Sequence, residues 1–220
     1  MRRIFCCLFV LVLFSGCLDK QLQTEFPDPT YREDPPEENL EDTDFNILFI
    51  GNSLTYFNDL PALVKEVGEE KGVDIGVKMV AEGNYAIVDH WSDGEAQNQI
   101  RRGIFDYVVM QQGPSSQQEG RDLLIEGGEL FKPLCDEFEA KLAFYMVWPS
   151  LTYYHTFDGV IRNYTLAADT HDAILCPVGQ VWKAHFDRTD DFSYYYQDGF
   201  HPSPEGSMVA AKVIYESLFP

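Results

Sequence analysis

Basic residues are scarce in this chain of 220 residues. It contains 16 Lys and Arg against 36 Asp and Glu, which gives a formal net charge of −20. A nucleic-acid-binding protein needs a basic patch that displaces the counterions around phosphates, and a protein held on anionic lipid by charge needs one too. The charge balance therefore argues against nucleic acid as a partner and against charge-driven membrane binding.

Motifs for metals and nucleotides are absent from the sequence as well. The five Cys form no CxxC motif and no cluster with His, and there is no GxGxxG, P-loop or HExxH motif. The only long apolar run is at the N-terminus, which excludes a multispan membrane protein. We predict no metal site and no cofactor. The 45% of hydrophobic residues is nevertheless enough for a folded core.

The N-terminus has the features of an export signal. Two Arg residues precede an apolar run (residues 4–14) that is followed by Ser-Gly-Cys. A basic start, an apolar stretch and small residues at its end predict a secretory signal in residues 1–16. The ending resembles the lipobox of bacterial lipoproteins, with Phe14 where Leu is usual. The resemblance implies a lipid on Cys17 as the membrane contact and a location in the bacterial cell envelope.

Residues 17–44 differ in composition from the rest of the chain. Residues 18–44 hold ten Asp and Glu and four Pro, with few large apolar side chains. Such a segment cannot bury enough apolar surface to fold, and its charges repel one another. The composition of residues 17–44 therefore predicts an acidic disordered tether. We prefer this interpretation of the acidic residues to a calcium site. The folded domain is predicted for residues 45–220, in which Cys135 and Cys176 either form a disulfide or remain buried thiols.

Strand-like and helix-like segments alternate along the domain, because short apolar runs and apolar residues at helical spacing follow one another. The predicted strands are residues 46–50, 73–80, 107–110, 142–148 and 173–176. The predicted helices begin near residue 60, cover 87–101, run to about residue 140 with breaks at Gly127 and Gly128, and begin again at Ser203, whereas 150–170 are ambiguous. This alternation predicts an α/β fold with a parallel sheet and helices on both faces.

Two polar motifs lie at opposite ends of this domain. The first strand ends in residues 51–55 (Gly-Asn-Ser-Leu-Thr), where Ser53 is mounted between a buried strand and a helix. Such a Ser is often only a helix N-cap. Asp198 and His201 lie three residues apart before the last helix, a spacing that can join the carboxylate to one imidazole nitrogen. The other nitrogen would then be free to act as a general base for a Ser nucleophile.

These motifs resemble those of the SGNH/GDSL hydrolases, a superfamily of esterases and lipases. The Gly-Asn-Ser-Leu motif matches its first motif, Gly-Asp-Ser-Leu, and Asp198-Gly199-Phe200-His201 matches its last, Asp-x-x-His. The resemblance covers residues 45–219. It implies a three-layer α/β/α sandwich with a five-stranded parallel sheet of the flavodoxin-like type. It also implies that Ser53 is the nucleophile, His201 the base and Asp198 the acid that orients it.

The groups that would bind the oxyanion match the superfamily less well. Gly83 corresponds to the Gly after the second strand, whose N–H the resemblance implies as a donor. The usual Asn after the third strand is absent, because residues 110–116 read Met-Gln-Gln-Gly-Pro-Ser-Ser. We predict that Gln111 supplies the missing amide, with Gln112 and Ser115 as alternatives. Removing one such donor typically lowers the rate by ~10²–10³.

Other aromatic and His residues have open roles. We favour the surface of a helix for His90 and Trp91 over a position near the cleft. Trp148 suits a pocket floor and core packing equally. The remaining aromatic residues of the two loops suit either sugar stacking or ordinary half-buried loops; they are Tyr153, Tyr154, His155, Tyr194, Tyr195 and Tyr196.

Together these features predict a surface-tethered bacterial ester hydrolase that forms an acyl-enzyme and needs no cofactor. A glycan ester, such as an acetylated carbohydrate, is the preferred substrate, and a lipid or other short acyl ester is the nearest alternative. A non-catalytic glycan-binding lipoprotein of the same fold is the alternative from another class, and the absent Asn supports it.

Overall fold

The structure, a computed structural model, describes residues 40–220. The signal segment and most of the tether lie outside the described residues, so those assignments stay predictions. The last residues assigned to the tether differ from the expectation. Leu40 is buried, and its carbonyl oxygen accepts a hydrogen bond from Asn46 Nδ2 at 2.6 Å. The folded domain therefore includes residues from Leu40 onward, because the Leu40 side chain joins the core.

The domain is built on one sheet of five parallel strands in the order β2-β1-β3-β4-β5. The strands are β1 (Phe45–Gly51), β2 (Ile75–Ala81), β3 (Tyr107–Met110), β4 (Lys141–Tyr145) and β5 (Ile174–Cys176). This confirms the predicted five-stranded parallel sheet, and its strand order is that of the flavodoxin-like type. After β2 the chain returns to the other side of β1, so the crevice between β1 and β3 is the topological switch point.

Helices cover both faces of the sheet. They are α1 (Ser53–Tyr56), α2 (Leu60–Glu70), α3 (Ile87–Asp93), α4 (Glu95–Ile100), α5 (Gln118–Glu137), α6 (Phe157–Thr170), α7 (Val178–Thr189) and α8 (Pro204–Leu218). One layer contains α2 packed against α8, and the other contains α5 packed between α3 and α6. With both faces covered, β1 and β3 bury consecutive apolar residues, as central parallel strands do. Within residues 40–220, none of the helices combines the length and the apolar composition that a membrane span requires.

Several predicted boundaries differ from the structure. The fourth strand ends at Tyr145 instead of Trp148, although residues 146–148 remain fully buried beyond the sheet. The helix predicted over residues 87–101 is two helices, because Gly94 takes a left-handed conformation (φ 85°) between them. By contrast, α5 continues through Gly127 and Gly128, where we expected breaks.

The two glycines of α5 serve close packing. A side-chain carbon at Gly127 would lie 2.7 Å from Ile87 Cγ2, and one at Gly128 would collide with the His171 ring. Glycine is therefore required here by the neighbouring side chains and not by the backbone conformation. The sequence reading also missed α7, and it left undecided the segment 151–170, which forms a 3₁₀ segment followed by α6.

Candidate active site

The carboxyl ends of the three strands β1, β2 and β3 lie together at one edge of the sheet. In the strand register Gly51 is opposite Ala81, and Ile50 is opposite Met110. Ser53, Gly83 and Gln111 each follow one of these strand ends by one or two residues. The sheet therefore brings to one edge residues that are far apart in sequence, as open parallel sheets do at their ligand sites.

Ser53 is fixed at the start of α1 by its neighbour Asn52. The Asn52 side-chain oxygen accepts the backbone N–H of Leu54 at 3.2 Å, and its Nδ2 donates to the Tyr85 carbonyl at 3.0 Å. An Asp at this position could accept but could not donate to that carbonyl. The amide of Asn52 therefore links the turn that carries Ser53 to the segment that follows β2. This link is one that the Asp of the resembled motif could not make.

Ser53, His201 and Asp198 form a continuous hydrogen-bonded line. Ser53 Oγ lies 3.0 Å from His201 Nε2, and His201 Nδ1 lies 2.6 Å from Asp198 Oδ2. Because a carboxylate can only accept, Nδ1 carries the proton of the neutral ring and Nε2 is left to accept the Ser53 hydroxyl proton. The three side chains therefore have the geometry that a nucleophile, a base and an acid orienting that base require.

The Asp198 carboxylate is held by several donors. Its Oδ1 accepts the backbone N–H groups of Phe200 and His201, both at 2.9 Å. Burial acts to raise the pKa of Asp198, but the hydrogen bonds from the His201 ring and from these two backbone groups outweigh it and lower the pKa below the ordinary value. Asp198 is therefore ionised near neutral pH, as stabilising an imidazolium requires.

The loop that carries His201 is anchored to the core on its far side. Trp148 Nε1 donates to the Phe200 carbonyl at 2.9 Å, and the Leu151 N–H donates to the Gly199 carbonyl at 2.7 Å. The Trp148 ring is fully buried and stacks on Trp182 of α7, with ring centroids 3.4 Å apart. Of the two roles open to Trp148, the structure supports core packing and not a pocket floor.

The Gln111 amide, which we predicted as an oxyanion donor, makes its hydrogen bonds within the protein. Its side chain is buried, and its Oε1 accepts the Asn52 N–H and the Thr55 hydroxyl, both at 2.9 Å. Its Nε2 donates to the Gln112 carbonyl at 2.6 Å. Both ends of the amide are therefore engaged inside the protein. Gln111 therefore supports the turn that carries Ser53, because its oxygen accepts the backbone N–H of Asn52.

The two alternative donors are engaged as well. Gln112 is buried, and its Nε2 donates to Ser115 Oγ at 2.9 Å and to the Gly120 carbonyl at 3.2 Å. The Ser115 hydroxyl donates to the Gly113 carbonyl at 2.8 Å. These bonds hold the loop after β3. The side-chain amides of Gln111 and Gln112 and the Ser115 hydroxyl all make hydrogen bonds within the protein.

His90 is buried instead of lying on the surface of its helix. Its Nε2 donates to the Gly51 carbonyl at 2.7 Å, two residues before Ser53. Burial lowers the pKa of His90 below its ordinary value, and the hydrogen bond only partly offsets this. His90 is therefore neutral near pH 7 and supports the end of β1. Its neighbour Trp91 packs edge-on against Phe131.

The aromatic residues of the two loops differ in how far their side chains are exposed. Tyr195 is buried, and its hydroxyl donates to the Pro149 carbonyl at 2.7 Å, whereas Tyr194 stacks on His185. Tyr154 is partly buried against Phe157. Tyr153 is 61% exposed, two residues from the Leu151 contact with the Asp198 loop. His155 is exposed as well, and Tyr196 is half-buried.

Some neighbours of the site carried no sequence signal. The Phe57 ring stacks on the His201 ring with centroids 4.5 Å apart, and no motif pointed to it. Trp182 could have been found from the helical spacing of Val178, Trp182 and Phe186, which marks the apolar face of α7.

Cys135 and Cys176 were predicted either to form a disulfide or to remain buried thiols. The structure shows two buried free thiols, and burial raises the pKa of each to about 12.

Comparison with solved structures identifies proteins of similar fold. A protein of Slackia heliotrinireducens described as a candidate SGNH hydrolase matches with a TM-score of 0.64 and 23% identity, covering 79% of this chain and 98% of that chain. A lipase/acylhydrolase of Enterococcus faecalis matches with a TM-score of 0.62 and 14% identity, covering 79% and 95%. An acetyl xylan esterase of Geobacillus stearothermophilus matches with a TM-score of 0.61 and 15% identity, covering 80% and 95%.

These likenesses establish that the chain has the SGNH hydrolase fold. No family model matches the sequence, and a search of curated proteins finds no match. The fold was therefore recognisable from two short motifs and from the three-dimensional structure, at identities of 14–23% to these three proteins.

Proposed function

We propose that the protein is a serine ester hydrolase. The observation that carries this proposal is the line of hydrogen bonds from Ser53 Oγ through His201 to Asp198, at 3.0 and 2.6 Å. In the proposed reaction Ser53 Oγ attacks the acyl carbonyl while His201 Nε2 takes its proton. The imidazolium then gives that proton to the leaving alcohol, and Asp198 stabilises the ring while it is charged.

The tetrahedral intermediate carries a negative charge that needs donors. The backbone N–H groups of Ser53 and Gly83 are our candidates, because both follow strand ends that lie side by side. Water then attacks the acyl-enzyme while His201 takes its proton, and His201 returns that proton to Ser53 Oγ as the bond between Oγ and the acyl carbon breaks. The ester splits into an alcohol and an acid, and no cofactor enters the proposed cycle.

A short acyl ester of a carbohydrate is the substrate class that we propose. The exposed large apolar side chains within residues 40–220 are those of Leu151, Tyr153, Leu166 and Val181, a small area for a long acyl chain. Leu151 contacts the Asp198 loop, so the exposed Tyr153 ring near it is suited to the apolar face of a sugar. The Geobacillus protein of similar fold is an acetyl xylan esterase.

The location of the enzyme is proposed from sequence alone. The apolar run and the Ser-Gly-Cys that follows it support export and lipid attachment at Cys17. The acidic segment after Cys17 would separate the domain from the membrane. An enzyme placed in this way would meet extracellular or periplasmic glycans.

Initial rates on three esters test the proposal. We expect hydrolysis of p-nitrophenyl acetate and release of acetate from acetylated xylo-oligosaccharide, with kcat/KM for p-nitrophenyl laurate lower by roughly 10-fold or more, since each misplaced contact costs transition-state stabilisation. A preference for laurate would support the lipid ester alternative. Failure to hydrolyse all three, in a protein with a cooperative unfolding transition, would contradict the hydrolase proposal.

A further inference from the structure

We propose that Asn58 is a positioning residue that holds His201 at the correct distance from Ser53. The proposal rests on the proposed function, because it concerns the same reaction. Asn58 lies in the short 3₁₀ segment Phe57–Asp59, which directly follows the nucleophile helix α1. It is five residues from Ser53 in sequence and 143 residues from His201. A side chain at this position can link the nucleophile segment directly to the loop of the base.

The Asn58 amide makes that link with two hydrogen bonds. Its Nδ2 donates to the carbonyl of Pro202 at 3.0 Å and to Ser207 Oγ at 2.9 Å. Pro202 is the residue after His201, and Ser207 is a buried residue in the first turns of α8. One amide group therefore joins both sides of the turn that presents the imidazole. Both protons of that amide are used.

The residue before Asn58 contacts the base itself. The Phe57 ring stacks on the His201 ring at an interplanar angle of 16° and is 9% exposed. Stacking limits the tilt of the imidazole, whereas the Asn58 bonds limit the translation of the loop that carries it. The two residues thus restrict different motions of the same ring.

The backbone at this segment takes a conformation that few residues tolerate. Asn58 and Asp59 have φ values of 56° and 54°, so two successive residues that are not glycine are left-handed. Asn and Asp accept this region better than other non-glycine residues do. Unfavourable backbone geometry of this kind persists where surrounding contacts fix it, and it is found near functional sites. The observed turn is what directs the Asn58 amide at Pro202.

The neighbouring Asp59 offers a matched control. It has the same left-handed conformation, but its side chain makes no capping hydrogen bond to the helix that follows. Glycine fits a left-handed residue without strain. Asn58→Gly and Asp59→Gly therefore make equivalent changes to the backbone, and only the first removes the link to Pro202 and Ser207.

The test compares kcat and KM of the two variants for p-nitrophenyl acetate. For Asn58→Gly we expect kcat to fall by roughly 10-fold to 100-fold with little change in KM, because a small displacement of a reacting group is costly. For Asp59→Gly we expect the wild-type kcat. An unchanged kcat in a folded Asn58→Gly variant would overturn the proposal, as would an equal loss in both variants.

Measuring Asn58→Gly in the His201→Ala variant distinguishes a positioning role from a general loss of structure. If Asn58 acts through the base, Asn58→Gly should cause no further loss of rate in His201→Ala, whose residual activity does not use the imidazole. An equal fold loss in both backgrounds would overturn the proposal. If Asn58→Gly does not fold, Asn58→Asp replaces it, because Asp keeps the size and backbone tolerance but cannot donate to Pro202. Wild-type kcat in Asn58→Asp would then contradict the role.

The proposed function and this inference fail in different ways. A wild-type protein without esterase activity would contradict the proposed function, and with it the reaction that Asn58 is proposed to support. An active wild-type protein together with a fully active Asn58→Gly variant would contradict only the proposed positioning role of Asn58.

Discussion

Ser53→Ala is expected to lower kcat/KM for p-nitrophenyl acetate by at least ~10³-fold, the scale expected for loss of a catalytic nucleophile. The hydroxyl lies 3.0 Å from His201 Nε2, so removing it leaves the base with no proton to take and the acyl group with no acceptor on the enzyme. The thermal stability should change little, because Ser53 is only partly buried and Ala suits the start of a helix.

Ser92→Ala is the matched control for this substitution. Ser92 is exposed on α3, where its hydroxyl donates to the Val88 carbonyl at 3.0 Å. We expect it to keep the wild-type rate. Equal rates for wild type and Ser53→Ala would contradict the catalytic role of Ser53. Measurable binding of an acetylated glycan by both proteins would then favour the non-catalytic glycan-binding alternative.

Asp198→Asn is expected to lower kcat by about 10⁴-fold, the loss known for replacing the acid of such a triad by Asn. The uncharged amide cannot stabilise the imidazolium. Its NH₂ group can also donate to His201 Nδ1, which places the ring proton on Nε2, where it can no longer accept from Ser53. KM should change much less than kcat, since Asp198 lies behind the imidazole and acts through it.

Asp191→Asn provides the corresponding control. Asp191 is also an acceptor of a backbone hydrogen bond, from Ser193 at 2.9 Å, and this bond lowers its pKa. It is exposed and contacts neither Ser53 nor His201 through any hydrogen bond found within residues 40–220. We expect its kcat to be that of wild type. A kcat for Asp198→Asn equal to that of Asp191→Asn would contradict the role of Asp198.

Sequence patterns predicted the central sheet well, for a physical reason. A strand buried on both faces must be apolar at every position, and residues 46–50 and 107–110 show this pattern without interruption apart from Asn46. The end of β4 was harder to find. Residues 146–148 are as buried and apolar as the strand before them, but β4 ends at Tyr145 and Trp148 instead donates to the Phe200 carbonyl of the Asp198 loop, and composition does not distinguish the two states.

Residues whose role depends on a distant partner could not be predicted in this way. Gly127 and Gly128 resemble helix breaks until Ile87 and His171 are known to press on them. Gln111 resembles a substitute for the missing Asn until its oxygen is seen to accept the Asn52 N–H. In both cases tertiary contacts decide what a local pattern leaves open.

The site itself was only partly recoverable from sequence. The Asp198 and His201 spacing implied their contact, because three residues in a turn are enough to bring a carboxylate to Nδ1. The supporting contacts from Phe57 and Asn58 join segments more than 140 residues apart in sequence, and neither residue type is unusual in a loop. Only the folded chain reveals them.

Intact-mass measurement after treatment with a fluorophosphonate tests the claim that Ser53 is a nucleophile activated by His201, because the reagent needs a nucleophilic Ser activated by a base. We expect wild type to gain one adduct that maps to Ser53, whereas His201→Ala should react far more slowly. The claim would be contradicted by a folded wild-type protein that gains no adduct, or by an adduct located on a residue other than Ser53.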